Sequence, residues 1–347
     1  MKKKYKNIVL VFIISCVVLL LGTSIYAYIL LNSKIDIEEN DIKVQIKYGS
    51  SLSEIVQQLN EKNLLKPFCF FENVVKLYAY ATNKSILAGY HKFTAEMSNA
   101  ELIVSLFTGE NLYMQSVTFP EGITIKRFAS ILQRKLDIDS SQFHRLCYDK
   151  NIIKKYDIKA NSLEGYLFPA TFNFFKDIEP QEVIDILVKE QLKYLQDLKH
   201  EIEKSKFTQL EILTLASIIE AETPVAKERE RISGVYHNRL KKNMMLQADP
   251  TVQYAIGEKR RLLYSDLKVD NQYNTYRYLG LPPGPINSPS KSSIKAAIKP
   301  EKNNYLFFVA KGDSSNEHLF ATNFYEHKKN VAKFRKNINK KRNNKIF

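Results

Sequence analysis

The chain has 347 residues, of which 44% are hydrophobic and 12% aromatic, so it can bury a full core, and we expect two folded domains. The formal net charge is +15, but nearly all of it lies at the two ends. Residues 1–31 hold four lysines, residues 328–347 hold nine lysines or arginines, and neither stretch contains an acid. Because residues 32–327 are therefore almost neutral, the charge does not indicate a basic groove for nucleic acid.

An uncharged run from Ile8 to Leu31 follows the lysines at the amino end. It is longer than the roughly 20 residues that cross a hydrocarbon core, and no small-residue cleavage site follows it, so it predicts a transmembrane helix. Lipidation at Cys16 is disfavoured because apolar residues continue beyond it, whereas a lipoprotein turns polar there. The lysines predict an amino terminus in the cytoplasm and a body on the outer face of the cell membrane.

Two stretches, starting at Val44 and Val117, share a pattern of alternating strand, glycine turn and amphipathic helix. A further strand and helix are predicted at Gly89–Phe93 and Ser98–Leu106. Small strand–helix units of this kind resemble LysM-like modules, which hold chitin- or murein-type glycans. The alternative is that they are packing units without a ligand.

The helix predicted from Thr208 is the element around which the chain is organised. Thr208 and Glu211 have the spacing of a capping box, and the following residues are apolar on nearly every face, which predicts a buried helix. Glu220, near the end of this helix, lies on a stripe of apolar or small residues. Burial in such a place raises the pKa of a carboxyl above its value in water. Such a group suits proton transfer. The alternative is a structural glutamate held by an arginine such as Arg229 or Arg239.

Five motifs in order resemble the endolytic murein transglycosylase family, which is also called MltG- or YceG-like. They read ASIIEAET, RISGVYHNRL, LQADPTVQY, YNTY and GLPPGPINSP, and the resemblance covers roughly residues 43–331. By this resemblance the first glutamate of the first motif, Glu220, is the catalytic residue. Ala221 replaces a lysine of many relatives but only flanks the acid, and the helical period turns Glu222 roughly 200° away.

The resemblance implies an enzyme that cleaves peptidoglycan glycan strands between MurNAc and GlcNAc, leaves 1,6-anhydroMurNAc ends and terminates nascent strand elongation. In lytic transglycosylases the 6-hydroxyl of the substrate attacks, so a single carboxylate acting as acid and then as base is sufficient. Cell-wall synthases are among the partners this implies. No cofactor or metal is expected, because the six histidines show no metal-ligand spacing. The alternative function is that of a non-catalytic peptidoglycan-binding or scaffold protein.

Besides Glu220, four side chains are candidates for substrate binding: Glu164, Gln247, Asn274 and Tyr276. Glu164 lies in an LEGYLFP segment that resembles another family motif, and its alternative role, tying down a loop, is the one we favour. Asp249 is predicted to cap a helix ahead of a proline, whereas Gln247 is predicted to contact sugar.

The last third of the chain contains a stiff loop and a buried strand pair. Four prolines and two glycines between Gly280 and Pro289 preset a loop that suits the wall of a substrate groove. Tyr305–Val309 and His318–Ala321 are predicted to pair as antiparallel strands. The basic residues after Lys328 are interpreted as a solvated terminus, with anionic lipid or wall polymer as the available partners if they bind.

Two smaller predictions concern single residues. Thr223, followed by a proline, is predicted to be the N-cap of the next helix. Cys69 and Cys147 lie outside the predicted membrane helix, and phenylalanines surround Cys69, so buried thiols are predicted rather than a disulfide.

The sequence thus predicts an α+β protein with a single N-terminal transmembrane helix, a LysM-like strand–helix subdomain and a mixed α+β catalytic domain. The expected boundaries are 1–7 for a cytoplasmic tail, 8–31 for the transmembrane helix, 32–41 for a linker, 42–115 for the LysM-like subdomain, 116–334 for the catalytic domain and 335–347 for a basic tail.

Overall fold

A computed structural model describes residues 2–35, 37, 41–47, 49–65, 71–175 and 178–343. The chain divides into two compact units. The first unit comprises Met1–Gln115 and Asn173–Asp177, and the second comprises Ser116–Phe172 and Ile178–Phe347.

The first unit begins with a long helix, α1 (Lys2–Asn32). Its stretch Leu10–Asn32 has a mean hydropathy of 2.5 and none of it is buried, so it is long and apolar enough to cross a membrane. This agrees with the transmembrane helix that the sequence predicts.

The end of α1 is bound to a later helix, α4 (Asn99–Thr108). The Asn99 side chain donates from Nδ2 to the Leu30 carbonyl at 2.9 Å and to Ser33 Oγ at 3.1 Å. The Ile35 amide donates to the Met97 carbonyl at 2.8 Å. The predicted linker is therefore bound to the folded unit at its start, while residues 36 and 38–40 lie outside the described residues.

The rest of the first unit is built from strand–helix pairs. Its elements are, in order, β1 (Asp41–Ile46), α2 (Leu52–Glu61), α3 (Phe71–Thr82), β2 (Gly89–Thr94) and α4. β1 and β2 pair antiparallel with Val44 opposite His91, and the helices α2 and α4 both begin with a capping box. The predicted strands and helices are thus confirmed here, while the likeness to LysM-like modules stays a prediction.

The second unit is mostly helical. Its elements are, in order, β3 (Met114–Thr118), α5 (Ile125–Leu136), α6 (Ser140–Leu146), α7 (Lys150–Lys155), β4 (Thr171–Phe175), α8 (Pro180–Asp197), α9 (Lys199–Lys204), α10 (Gln209–Glu222), α11 (Arg229–Lys241), α12 (Asp249–Ile256), α13 (Lys291–Ile298), β5 (Phe307–Ala310), β6 (His318–Ala321) and α14 (Phe324–Asn343). β3 pairs with β4, and the division between the units falls within these two strands.

Helix α10 is the buried helix of the second unit. The Glu211 amide donates to Thr208 Oγ1, and the Glu211 carboxylate accepts from the Thr208 amide, which confirms the predicted capping box. All eight side chains from Ile212 to Ile219 are buried, because α11, α12 and α13 pack around the helix. Each large apolar side chain buried in this way contributes about 1.5–3 kcal/mol.

The prediction that Thr223 starts the next helix is wrong. Thr223 follows the last residue of α10, and its Oγ1 accepts a hydrogen bond from the Val225 amide at 3.0 Å. A short 3-10 turn at Ala226–Glu228 comes next, and α11 begins only at Arg229. Pro224 lies in the turn between the helices instead of at a first helical position, so the cap-and-proline signal marks the end of one helix here.

The carboxyl-terminal strands pair as predicted, with Phe308 opposite Phe320 in an antiparallel register. Helix α14 packs on both strands. Asn337 donates from its amide to the Lys311 carbonyl at 2.7 Å, and Asn330 donates to the Phe320 carbonyl at 3.2 Å. The predicted solvated terminus is therefore wrong as far as Asn337, because this part is a helix bound to the sheet.

The cysteine predictions are tested in part. Cys147 is a free and fully buried thiol, as predicted, and burial raises its pKa well above the usual value. Cys69 lies outside the described residues.

Candidate active site

Glu220 lies in the last turn of α10, with its side chain only 7% exposed. Its Oε1 accepts a hydrogen bond from Arg229 Nη2 at 2.9 Å. Its Oε2 accepts from the Ser290 amide at 3.0 Å, from Ser293 Oγ at 2.7 Å and from the Ser290 hydroxyl. Glu220 is therefore buried, as the helix pattern predicts, and it is held by Arg229, as the structural alternative predicts. Its role as the catalytic acid stays a prediction.

The serines lie at the start of α13, because Ser290 is the N-cap of that helix. Its hydroxyl accepts from the Ser293 amide at 3.2 Å, the usual capping contact. The amide groups of a helix start carry partial positive charge, which favours an anion placed there. Helix α13 therefore presents backbone and hydroxyl donors to the Glu220 carboxylate, and α10 and α13 are held together at that point.

Arg229 is the first residue of α11, and its side chain is 9% exposed. One nitrogen, Nη2, donates to Glu220, while Nη1 donates to Ser290 Oγ at 2.7 Å and to the Ser292 hydroxyl. The planar fork of a guanidinium can serve both groups at once, which a lysine cannot do. Arg229 thus joins the ends of three helices at the acid.

The proline-rich loop, residues 280–289, is held against α10 one turn before the acid. Ser217 Oγ accepts from the Ile286 amide at 3.0 Å, and the Ser217 carbonyl accepts from the side-chain amide of Asn287 at 2.8 Å. Pro283 is exposed while residues 284–290 are buried, so only one edge of the loop faces solvent. Its role as the wall of a substrate groove stays a prediction.

A turn that precedes α5 passes beside Glu220. The Gly122 amide donates to the Ser288 carbonyl at 2.8 Å, and the Ser288 amide donates to the Ile123 carbonyl at 2.9 Å. Gly122 has φ +74, and a Cβ built on it would lie 3.4 Å from Cγ of Glu220. The glycine therefore allows both the left-handed turn and the close approach to the acid.

Glu121, the residue before this glycine, brings a second carboxylate to the site, and it is exposed. Its pKa is raised from the usual value, first by partial desolvation and then by the negative charge of Glu220, while Arg229 opposes the shift. The sequence does not predict a role for Glu121, because the segment around Gly122 stands out only as a strand–helix repeat. The glutamate beside a glycine turn was a signal for a functional residue, but no local sequence pattern shows that the turn lies next to α10.

Glu164, predicted to bind substrate, is buried with 2% exposed. Its carboxylate accepts from the Ile125 amide, at 3.1 Å to Oε1, and from the Tyr254 hydroxyl at 3.4 Å. Desolvation raises its pKa to about 8, against the opposing effect of these two hydrogen bonds. Direct contact with substrate does not fit this position. The loop-tying alternative does, since Glu164 fixes the start of α5 and hence the turn that carries Glu121.

Asn274 is fully buried inside its own loop. Its Nδ2 donates to the carbonyls of Leu267 at 3.0 Å and Val269 at 2.8 Å, and its Oδ1 accepts from the Tyr276 amide at 3.0 Å. With its amide engaged in this way, the predicted substrate contact of Asn274 does not fit the structure. The residue shapes the loop that presents Tyr276.

Gln247 and Tyr276 lie close together, because the backbone N–H of Gln247 donates to the Thr275 carbonyl at 3.1 Å. Gln247 is exposed and has φ +48, and its contact with substrate stays a prediction. The Tyr276 hydroxyl donates to Asp249 Oδ1 at 2.6 Å. The predicted cap role of Asp249 is wrong, since its side chain makes no capping bond to α12 and accepts from the tyrosine instead.

Glu222 accepts a hydrogen bond from the Tyr236 hydroxyl at 2.6 Å, so it points away from the partners of Glu220, as the helical period predicts. Desolvation raises its pKa to about 7, Tyr236 and Arg239 oppose the shift, and Asp249 adds to it. Arg239, the other arginine considered for Glu220, donates to the Leu246 and Leu306 carbonyls. Among the residues that the structure describes, no His, Cys, Asp and Glu side chains are grouped as a metal would require.

The fold and the site together define a candidate acid–base enzyme centred on one buried glutamate. Residues 44–333 match the YceG-like family, and the chain belongs to that family. It is 33% identical over 336 residues to the endolytic murein transglycosylase of Bacillus subtilis strain 168, and the match covers 92% of each protein.

Two further relatives support the same assignment. The endolytic murein transglycosylase of Streptococcus pneumoniae strain D39 is 30% identical over 341 residues, covering 88% of this chain and 61% of that protein. A YceG-like protein of Listeria monocytogenes, known from a 2.6 Å crystal structure, has a TM-score of 0.59 and 32% identity, covering 84% of this chain and 98% of that one. The family resemblance seen in the sequence motifs is therefore confirmed.

Proposed function

We propose that this chain is an endolytic murein transglycosylase, which cleaves peptidoglycan glycan strands between MurNAc and GlcNAc and leaves 1,6-anhydroMurNAc ends. The observation that carries the proposal is the surroundings of Glu220, a buried carboxyl with an arginine and a helix start directed at it. Its two similar relatives from Bacillus and Streptococcus are named for this activity.

In the first step, Glu220 gives its proton to the oxygen that bridges the two sugars. The bond between that oxygen and C1 of MurNAc breaks, and the leaving sugar departs with a free hydroxyl. Among the residues that the structure describes, three donors reach Oε2 of Glu220 and one reaches Oε1, so Oε1 has the free lone pair on which a transferable proton fits. Arg229 and the serine donors then stabilise the carboxylate that the transfer creates.

In the second step, the 6-hydroxyl oxygen of the same MurNAc forms a bond to C1, and its proton returns to Glu220. The acid is restored and no water is consumed. The new end is therefore lighter by one water than the reducing end that a hydrolase produces. A single proton-transferring carboxylate completes both steps, which matches the one glutamate held by Arg229.

The test is to incubate the full chain, solubilised in detergent, with purified uncrosslinked glycan strands and to analyse the products by mass. The expected products are shorter strands with anhydro ends. Products with only reducing ends would overturn the proposed reaction. Strands that are bound but never cut would favour the other function considered, a non-catalytic peptidoglycan-binding or scaffold protein.

We further infer that α1 anchors the chain as a single-pass protein of the cell membrane, with the chain that follows α1 on the outer face. The lysines before α1 favour the cytoplasm, and Leu10–Asn32 is apolar enough to span the bilayer. An enzyme held there reaches strands where they are polymerised, so termination of nascent strand elongation and contact with cell-wall synthases follow as proposals. Protease added outside spheroplasts should digest the body, whereas digestion from the cytoplasmic side of inverted vesicles would contradict this orientation.

A further inference from the structure

We propose that Glu121 is a second carboxylate of the active site, which faces the sugar whose C1–O bond breaks and stabilises the positive charge that develops at its anomeric carbon. This inference rests on the proposed transglycosylase function and adds a residue to it. The sequence predicts no role for Glu121, and the two proton transfers do not require it.

The position of Glu121 is fixed by contacts on both sides of its turn. On one side, Gly122 and Ile123 are bonded through the backbone to Ser288, whose loop leads directly into the cap of α13. On the other side, the Ile125 amide is held by the buried carboxylate of Glu164. Because the turn is hydrogen-bonded on both sides, Glu121 stays close to Glu220.

The position of Gly122 shows how close the turn lies to Glu220. A Cβ on this residue would already lie at van der Waals distance, 3.4 Å, from Cγ of Glu220. Glu121 is the adjacent residue and its side chain is exposed, whereas Glu220 is almost wholly enclosed. The two carboxylates therefore stand at one site, with Glu121 on its solvent side, where a glycan strand arrives.

The charges of this site favour a division of roles. Arg229 balances one of the two carboxylates, so Glu121, Glu220 and Arg229 together are neutral when one proton is bound and carry one negative charge when none is. Glu220 has Arg229 and the serine donors as its partners, whereas Glu121 lies on the solvent side of the site. In the proposed division, Glu121 supplies negative charge to the substrate and Glu220 transfers the proton. The effect of Glu220 on the pKa of Glu121 reports the same proximity.

A negative charge beside the anomeric carbon assists this reaction. Cleavage of a glycosidic bond passes through a transition state that resembles an oxocarbenium ion, with positive charge on C1 and the ring oxygen. A carboxylate facing that centre stabilises the transition state more than the neutral ground state. Glu121 forms no covalent bond and moves no proton, so the two steps keep their atoms and protons as written above.

Other glutamates close to the site cannot take this role. Glu222 is engaged by Tyr236, and Glu164 is buried against the start of α5. Glu121 is the exposed one of these carboxylates.

The experiment compares Glu121→Gln and Glu121→Asp with the wild-type chain on purified glycan strands. A matched control is Glu203→Gln, since Glu203 is also exposed but lies before the start of α10, at the opposite end of that helix from Glu220. We expect Glu121→Gln to lower kcat on the order of 10²-fold with KM nearly unchanged, because the interaction exists mainly in the transition state. Glu121→Asp should recover part of the loss, and the control should lose nothing.

The split between kcat and KM, together with the partial recovery in Glu121→Asp, separates this role from a structural one. Wild-type kcat in Glu121→Gln, or an increase in KM alone, would overturn the role of Glu121, while anhydro ends from the wild type uphold the proposed function. A wild-type chain that forms no anhydro ends would refute the proposed function itself.

Discussion

Arg229 donates a hydrogen bond from Nη2 to Oε1 of Glu220 over 2.9 Å, and both side chains are more than nine-tenths buried. Such a pair adds little to the free energy of unfolding, because desolvation of the two charges offsets much of their attraction. Removal of one partner is different, since it leaves a buried charge without compensation. The pair therefore matters to the site chiefly through the position it gives the acid.

We expect Arg229→Ala to lower the free energy of unfolding by about 3–5 kcal/mol and to abolish strand cleavage, because Glu220 loses its partner and α11 its link to Ser290. Arg229→Lys should restore little, since an ammonium cannot replace the fork. The matched control is Arg231→Ala, two residues along the same helix, whose pair with Glu301 is exposed and worth about 0–1 kcal/mol. Denaturant unfolding measures both, and equal losses in the two variants would contradict this interpretation.

Gly122 offers a test of the close approach between the turn and the acid. Gly122→Ala should lose about 1–2 kcal/mol of stability from the positive φ. It should also lower the cleavage rate, because the new methyl lies at van der Waals distance from Cγ of Glu220 and fills space beside the acid. Gly257→Ala supplies the control, since Gly257 has φ +73 but no atom within 4 Å of its would-be Cβ. The two variants should melt alike and differ in activity. If both cleave at the wild-type rate, the turn does not limit access to the acid.

The buried glutamates predict how stability depends on pH. The pKa of Glu164 is raised to about 8 and that of Glu222 to about 7, so the folded chain keeps protons that the unfolded chain has released. Because the unfolded state binds fewer protons, their contribution to stability is fully present below about pH 4.5 and is lost as pH rises through 7 to 8. For Glu164 alone the loss is on the order of a few kcal/mol.

Thermal melting at several pH values, with and without Glu164→Gln, measures this effect. The wild-type melting temperature should fall between pH 5 and pH 8, and the variant, which has no proton to lose there, should show a flatter curve. The same slope in both proteins would mean that Glu164 does not remain protonated in the fold.

Local signals in the sequence predicted the elements well. The capping box at Thr208, the apolar faces of α10 and the antiparallel pair β5–β6 follow from residues that are close in sequence. The position of Glu220 on a small apolar stripe correctly predicted its burial, and helical geometry correctly separated it from Glu222. Motif order was sufficient to identify the family.

What the sequence could not predict were contacts between distant segments. Ser290 and Ser293 lie about seventy residues from Glu220, and no periodicity links them to it. Glu121 reaches the site only through the backbone pairing of its turn with Ser288. Asn274 and Asp249 were misassigned for the same reason, since their polar groups fit a substrate contact or a cap until the tertiary structure supplies their actual partners.

The most direct test of the proposed acid is the cleavage rate of Glu220→Gln. A glutamine keeps the size of the side chain but cannot supply the proton, and it cannot satisfy Arg229 and the serine donors equally well. We expect a folded protein with a lower melting temperature that still binds glycan strands and forms anhydro ends at least about 10²–10⁴-fold more slowly. The control, Glu222→Gln, should lose much less, because its side chain points to Tyr236. Cleavage by Glu220→Gln at the wild-type rate would contradict the assignment of Glu220 as the acid.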